Sequence, residues 1–195
     1  MRKVVMLNRI SIDGFFAGPN GEIDWFVRDP EVDKAVHNPP LDNASTERMQ
    51  PNTILFGRAT YQMFESYWPS VAADPNAPEE ARATADELNQ MTKLVFSRTL
   101  QEVTWENSLL VNGDLLEEVT KLKQEDGPDM IIFGSGTIVQ QLANEGLIDD
   151  YLIVVTPVIL GEGKPLFKDV KPLNLELAQA TGFQSGNVLL HYTKL

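Results

Sequence analysis

The chain has 195 residues, 43% of them hydrophobic, close to the size of one domain and enough for a substantial core without disulfides or metals. Sixteen basic against 28 acidic side chains give a net charge of −12, a sign that repels phosphate backbones and anionic lipid head groups, so neither a nucleic-acid nor a membrane partner is expected. The absence of cysteine excludes disulfides, thiolate zinc sites, iron–sulfur clusters and thiol nucleophiles, and no stretch approaches the roughly 18 apolar residues of a membrane span.

The run Val4–Leu7 is too short for a signal-peptide core, and a soluble cytoplasmic protein is expected. Lys3 to Ile10 is β-rich and apolar on consecutive positions, which predicts a central strand covered on both faces. The stretch Ser11 to Gly21 follows, where three glycines and Pro19 argue against regular structure while Phe15 and Phe16 argue for a loop that covers something. Asp29-Pro30 reads as an N-cap with proline at the first helical position, opening a short helix to about His37.

Beyond it, apolar strands at Thr53–Phe56, Leu94–Ser97, Leu109–Val111, Met130–Phe133 and Tyr151–Ile159 alternate with helical segments at Ala59–Tyr67, Glu79–Met91, Leu115–Lys123 and Thr137–Asn144. That alternation predicts a mostly parallel sheet. Ser70–Pro78 reads as a surface loop, and Tyr61, Phe64 and Trp68 as a helical apolar stripe. Leu173, Leu175 and Leu177 alternate with polar residues, and Ser185-Gly186-Asn187 separates them from Val188–Thr193, which predicts a closing antiparallel hairpin.

Three strand ends suit a dinucleotide. Gly57-Arg58-Ala59-Thr60 runs from strand into helix, where free N–H groups receive phosphate and Arg58 adds charge. Ser97-Arg98-Thr99 places two hydroxyls about a guanidinium, a set suited to a monoester phosphate. In Phe133-Gly134-Ser135-Gly136-Thr137-Ile138 small residues let backbone amides approach a pyrophosphate. Each motif alone also serves as an ordinary turn. None is a GxGxxG fingerprint, no acid lies where ribose binding needs one, and Gly-Lys-Ser/Thr is absent, which argues against a standard Rossmann domain and a P-loop hydrolase.

Taken in order, these segments resemble the reductases that join dihydrofolate reductase to the C-terminal reductase domain of riboflavin biosynthesis. The resemblance rests on Ser11-Ile12-Asp13-Gly14 with Ala17-Gly18, on the three strand-end motifs, and on Asp150-Tyr151 followed by Pro157-Val158-Ile159-Leu160-Gly161-Glu162-Gly163-Lys164-Pro165-Leu166-Phe167. It covers nearly the whole chain and implies a single reductase domain over 1–195, with a dihydrofolate-reductase-like α/β fold, a mixed and mostly parallel sheet, and a C-terminal antiparallel hairpin.

By resemblance, Ala17 and Gly18, with Phe16, would close over the nicotinamide of NADPH. Gly57, Arg58 and Thr60 would hold the pyrophosphate, and Ser97, Arg98 and Thr99 the adenosine 2′-phosphate. Phe133, Gly134, Ser135, Gly136, Thr137 and Ile138 would complete the site, with a cis Gly134–Ser135 peptide, and a homodimer would form through the sheet edge. The zinc deaminase often fused to the riboflavin enzyme is excluded, because the chain lacks cysteine and the H-x-E motif.

Hydride chemistry belongs to the cofactor, so the protein chemistry required is sparse. Asp13 is a candidate to bind or protonate substrate, or else forms an Asp-Gly turn; Asp24, beside Trp25, is a candidate acid or a solvated loop residue. Thr156 contacts cofactor or substrate, or only completes its strand. His37 and His191 have no partner pattern, so no metal site is expected. A phosphoribosyl substrate calls for basic side chains beside the nicotinamide, and the sequence shows no obvious set. The expected activity is NADPH-dependent reduction of a small heterocycle, related to 5-amino-6-(5-phosphoribosylamino)uracil reductase; dihydrofolate reduction and a non-catalytic NADPH-binding module are the alternatives.

Overall fold

The computed structural model describes residues 1–37 and 51–195. In chain order the elements are β1 (Val4–Ser11), β2 (Phe15–Ala17), α1 (Pro30–His37), β3 (Thr53–Gly57), α2 (Arg58–Ala73), α3 (Glu79–Gln90), β4 (Thr92–Phe96), β5 (Ser108–Val111), α4 (Leu115–Gln124), β6 (Met130–Phe133), α5 (Gly136–Asn144), β7 (Asp150–Thr156), β8 (Lys164–Pro165), β9 (Leu175–Gly182) and β10 (Val188–Lys194). One eight-stranded sheet runs β5-β4-β3-β6-β1-β7-β10-β9, parallel through β7 and antiparallel across the last three strands.

The central strands are apolar on consecutive positions because helices cover both faces of the sheet. Val4 and Met6 of β1 point to the face shared with Val119 of α4 and Leu142 of α5, whereas Val5 joins Ile54, Phe56, Tyr61 and Trp105 on the other. The stripe of Tyr61, Phe64 and Trp68 belongs to this second layer, with Phe56 and Phe64 rings 5.1 Å apart.

Four expectations need correction. Helix α2 runs on to Ala73, with Pro69 inside it, where a loop was expected; the aromatic stripe anchors it up to Trp68, and proline costs only one amide donor there. Strand β7 stops at Thr156 instead of Ile159, because Pro157 cannot extend the ladder. The loop after β1 contains a short strand, β2, paired with β8 despite its glycines. The hairpin's first strand begins at Leu175 and runs to Gly182, so Leu173 lies outside it.

One buried cation stands out on this framework. Lys93 is fully buried on β4, and its Nζ donates to the carbonyls of Asn89 (3.0 Å), Met91 (2.7 Å) and Glu106 (2.9 Å), 4.5 Å from the Trp105 ring centre. Burial pushes its ammonium down to about 8 from 10.5. The folded protein therefore sheds this proton before the unfolded chain does, and stability from this residue rises with pH between 8 and 10. Lys93→Met is expected to lose about 2 kcal/mol at pH 7, because three carbonyls lose their donor, and to lack that rise; urea unfolding of both proteins at pH 7 to 10 measures each effect.

Candidate functional site

The carboxyl ends of β1, β3, β4, β5 and β6 open on one side of the sheet into a cleft of about 2320 Å³, well above the volume of a typical small-ligand pocket. A dinucleotide and a second small molecule fit together in such a space. Among the described residues its wall carries seven cationic side chains (Arg9, Arg28, Lys34, Arg58, Arg98, Lys164, Lys168) and six carboxylates (Glu22, Asp24, Asp33, Glu80, Glu87, Asp114). In a chain of net charge −12 the cleft wall is thus close to balanced in charge.

Strands β3 and β6 are neighbours, so the turns leaving them lie side by side. The Gly57 N–H donates to Ser135 Oγ at 3.0 Å, and the Ser135 N–H donates to Thr60 Oγ1 at 3.0 Å. Two of the three motifs are therefore one interlocked structure. Gly57 caps α2 and Ser135 caps α5 without a side-chain bond to either helix's first amides, leaving those N–H groups at the cleft wall. Gly134 (φ +56°) and Ser135 (φ +51°) both take the left-handed conformation, and a Cβ on Gly134 would stand 3.3 Å from Thr60 Cγ2.

No cis peptide is present among the described residues, which corrects the expectation at Gly134–Ser135; the two successive left-handed residues turn the chain there instead. Ser97, Arg98 and Thr99 follow β4 at the same wall, with Ser97 Oγ accepting from the amides of Thr99 (3.2 Å) and Leu100 (3.0 Å). The hydroxyl hydrogen of Ser97 and the exposed Arg98 guanidinium remain able to donate.

The loop after β1 reaches the same cleft. Phe15 and Ala17 pair with Pro165 and Lys164, and the Phe16 ring lies so close over Gly136 that a Cβ there would be 2.7 Å from it. Ala17, Gly57, Arg58, Thr60, the Ser97–Thr99 trio and Phe133 through Ile138 all line the wall. Gly18 does not; it closes a tight turn, its N–H donating to the Glu22 carbonyl at 2.9 Å.

The acid–base candidates separate. Asp24 is exposed and lines the cleft, with the neighbouring Trp25 indole donating to the Glu22 carbonyl at 3.0 Å. Asp13 lies outside the cleft wall and accepts from the amides of Leu160 (3.1 Å) and Gly161 (2.7 Å). Its bond with Ser11 heads the influences on its carboxyl, whose pKa is lowered. Asp13 is thus a clamp between two loops, which corrects its candidacy as a proton donor. Thr156 is fully buried and is not among the lining residues, and its Oγ1 has no partner. His191 is spent on Asp150 at 2.7 Å, and no metal-ligating cluster occurs among the described residues.

The sequence reading missed Asn8 and Arg9, both at the wall, with Asn8 Nδ2 donating to the Gly134 carbonyl at 3.4 Å. Their signal was two polar residues interrupting an otherwise apolar strand. It also missed that Arg9 of β1 is paired with Asp33 of α1, Nη2 to Oδ1 at 2.5 Å.

The family model of the RibD C-terminal domain matches residues 2–189 of this chain. The chain belongs to the RibD C-terminal domain family. The uncharacterized protein YyaP of Bacillus subtilis is 35% identical over 193 residues, 98% of this chain and 94% of that protein. YwjB of the same organism is 28% identical over 99% of this chain and 98% of its own length.

A crystal structure of a putative riboflavin biosynthesis protein from Shewanella sp. PV-4 superposes with a TM-score of 0.67 at 22% identity, covering all of this chain and 99% of that one. The deaminase/5-amino-6-(5-phosphoribosylamino)uracil reductase of Thermotoga maritima gives 0.64 at 15% identity, with this chain spanning 57% of it. The fold is accordingly the dihydrofolate-reductase-like one, and the family is reductase-like.

Gly134→Ala tests the interlocked turns. Forcing a side chain into the left-handed backbone against Thr60 is expected to cost about 1–2 kcal/mol, a fall of roughly 2–6 °C in Tm by calorimetry. An unchanged Tm would mean that the turn is built otherwise.

Proposed function

We propose that this protein is an NADPH-dependent reductase of a small heterocyclic substrate, related in chemistry to 5-amino-6-(5-phosphoribosylamino)uracil reductase, and that it works in the cytoplasm. The supporting observation is the interlocked pair of strand-to-helix turns beside the Ser97-Arg98-Thr99 trio. Two uncapped helix starts, approached closely at Gly57, Gly134 and Gly136, suit a pyrophosphate, and the trio suits the monoester that separates NADPH from NADH.

Bound NADPH supplies the hydride. The chain's own work is to position and to exclude water. Ala17 and Phe16 cover the cleft beside Gly136, held down by the pairing of β2 with β8. Of the three acid–base candidates Asp24 lines the wall, which supports giving it the proton exchange with substrate, while Thr156 keeps a buried hydroxyl without a partner. No helix among the described residues is long and apolar enough to cross a membrane.

The cofactor assignment is tested by fluorescence titration of NADPH and NADH against wild type and Arg98→Ala. Wild type is expected to prefer NADPH, and the variant to lose about tenfold or more in NADPH affinity with little change for NADH. Equal binding of both cofactors to wild type would remove the assignment. NADPH oxidation across a panel of reducible heterocycles then separates a reductase from a nucleotide-binding module.

We further propose a homodimer through the β9 edge. That strand ends the sheet with an open ladder, and Leu177 is 51% exposed on it. Leu177→Lys is expected to shift the protein toward monomer in light scattering; a wild-type monomer at micromolar concentration would overturn the proposal.

A further inference from the structure

Asn8 is a polar side chain of the cleft with one end committed and the other open. Strand β1 turns Val4, Met6, Asn8 and Ile10 to the sheet face covered by α4 and α5, and of these four only Asn8 is polar. It is 4% exposed and lines the cleft. Its Nδ2 donates to the Gly134 carbonyl at 3.4 Å, and because a carbonyl only accepts, that contact fixes which end of the amide is nitrogen. Oδ1 is the free end. It has no hydrogen-bond partner among the described residues and is not one of their buried unpaired atoms, so it keeps open surface. A side chain that is otherwise buried thus holds an acceptor open at the cleft.

Its place in the sheet decides what meets that acceptor. Ser97, Arg98 and Thr99 follow β4, the interlocked turns leave β3 and β6, and the next strand in the sheet is β1. The three strand spacings from β4 to β1 amount to roughly 14 Å, a distance that an extended dinucleotide bridges. A ligand with its monoester at the trio and its pyrophosphate on the turns carries its remaining half onto β1. That half meets an apolar setting, for Ile10 lies two residues on, Ile153 is the β7 register partner of Asn8, and Phe16 packs over Gly136. Among these side chains Asn8 alone can hold a ring by a hydrogen bond.

We propose that Asn8 is a further cofactor-binding residue, whose Oδ1 accepts a hydrogen bond from the carboxamide N–H of the nicotinamide while Nδ2 stays on Gly134. That role rests on the NADPH reading above and extends it to the reactive ring. The nicotinamide carboxamide carries an amino group beside its carbonyl, so it donates where Asn8 accepts. A ring with a methyl in place of that amino group would leave Oδ1 desolvated and unpaired. The anchor on Gly134 keeps the Asn8 amide from turning over to offer its N–H instead.

The experiment is calorimetric titration of NADP+ and of its 3-acetylpyridine analogue, in which a methyl replaces the carboxamide amino group. Both are titrated into the full-length wild type, Asn8→Leu and Asn8→Ala. Wild type is expected to bind NADP+ about tenfold more tightly than the analogue. In both variants that preference should fall to within about twofold of unity, whatever loss the two ligands share through Gly134. A residue that only braced Gly134 would weaken both ligands by the same factor and leave the preference standing. Tm checks the fold of each variant, and Asn8→Ala, which removes the amide without adding bulk, keeps the comparison readable if leucine is not accommodated.

Equal affinity of wild type for the two ligands, or a preference that survives in the variants, overturns the assignment to Asn8 and leaves the cofactor in the cleft. Failure of wild type to bind either NADP+ or NADPH removes the cofactor reading itself, and Asn8 with it.

Discussion

Strands β3 and β6 pair side by side, and the turns that leave them cannot be built independently. Gly57 needs an acceptor for its amide and finds Ser135 Oγ, while Ser135 needs one for its own and finds Thr60 Oγ1. Each turn thus satisfies a buried donor of the other, so a change in one leaves an orphan in its neighbour. The cost is the left-handed backbone at Gly134 and Ser135, about 1–2 kcal/mol for a residue with a side chain. The return is that α2 and α5 start at the same wall with their first amides uncommitted to caps.

That arrangement depends on sheet order. Placing β6 between β3 and β1 lets the loop after β1 reach across to α5, where Phe16 packs over Gly136. Pairing of β2 with β8 then ties this loop to the segment after β7. The Asp13 carboxylate adds a second tie, accepting the Leu160 and Gly161 amides. The loops leaving the carboxyl ends of the parallel neighbours β1 and β7 are therefore fastened together, by the backbone and by an aspartate that chemistry had seemed to claim.

The parallel core was legible in the sequence because burial on both faces leaves continuous apolar runs such as Thr53–Phe56 and Met130–Phe133, and the helices between them carry one apolar face each. The strand-to-helix turns were legible because glycine and hydroxyl residues cluster where the apolar runs end. What the sequence could not display was adjacency. Nothing in Gly57–Thr60 announces that it bonds Gly134–Ser135, 75 or more residues away. The same limit hid the pairing of Arg9 on β1 with Asp33 on α1. Helix α2 was underestimated because Pro69 reads as a stop, whereas packing of Phe64 and Trp68 carries the helix through it.

The two ends of the cleft are consequently made of different material. At the turns the donors are backbone amides whose positions follow from the sheet, so most side-chain changes there leave them where they are. Near α1 the wall is carried by side chains, with Arg9 held by Asp33. A single substitution at Arg9 alters the donor pattern without touching the sheet. The fold and its turns can stay fixed while side chains at the wall change, so a likeness of fold at 22% identity does not name a ligand.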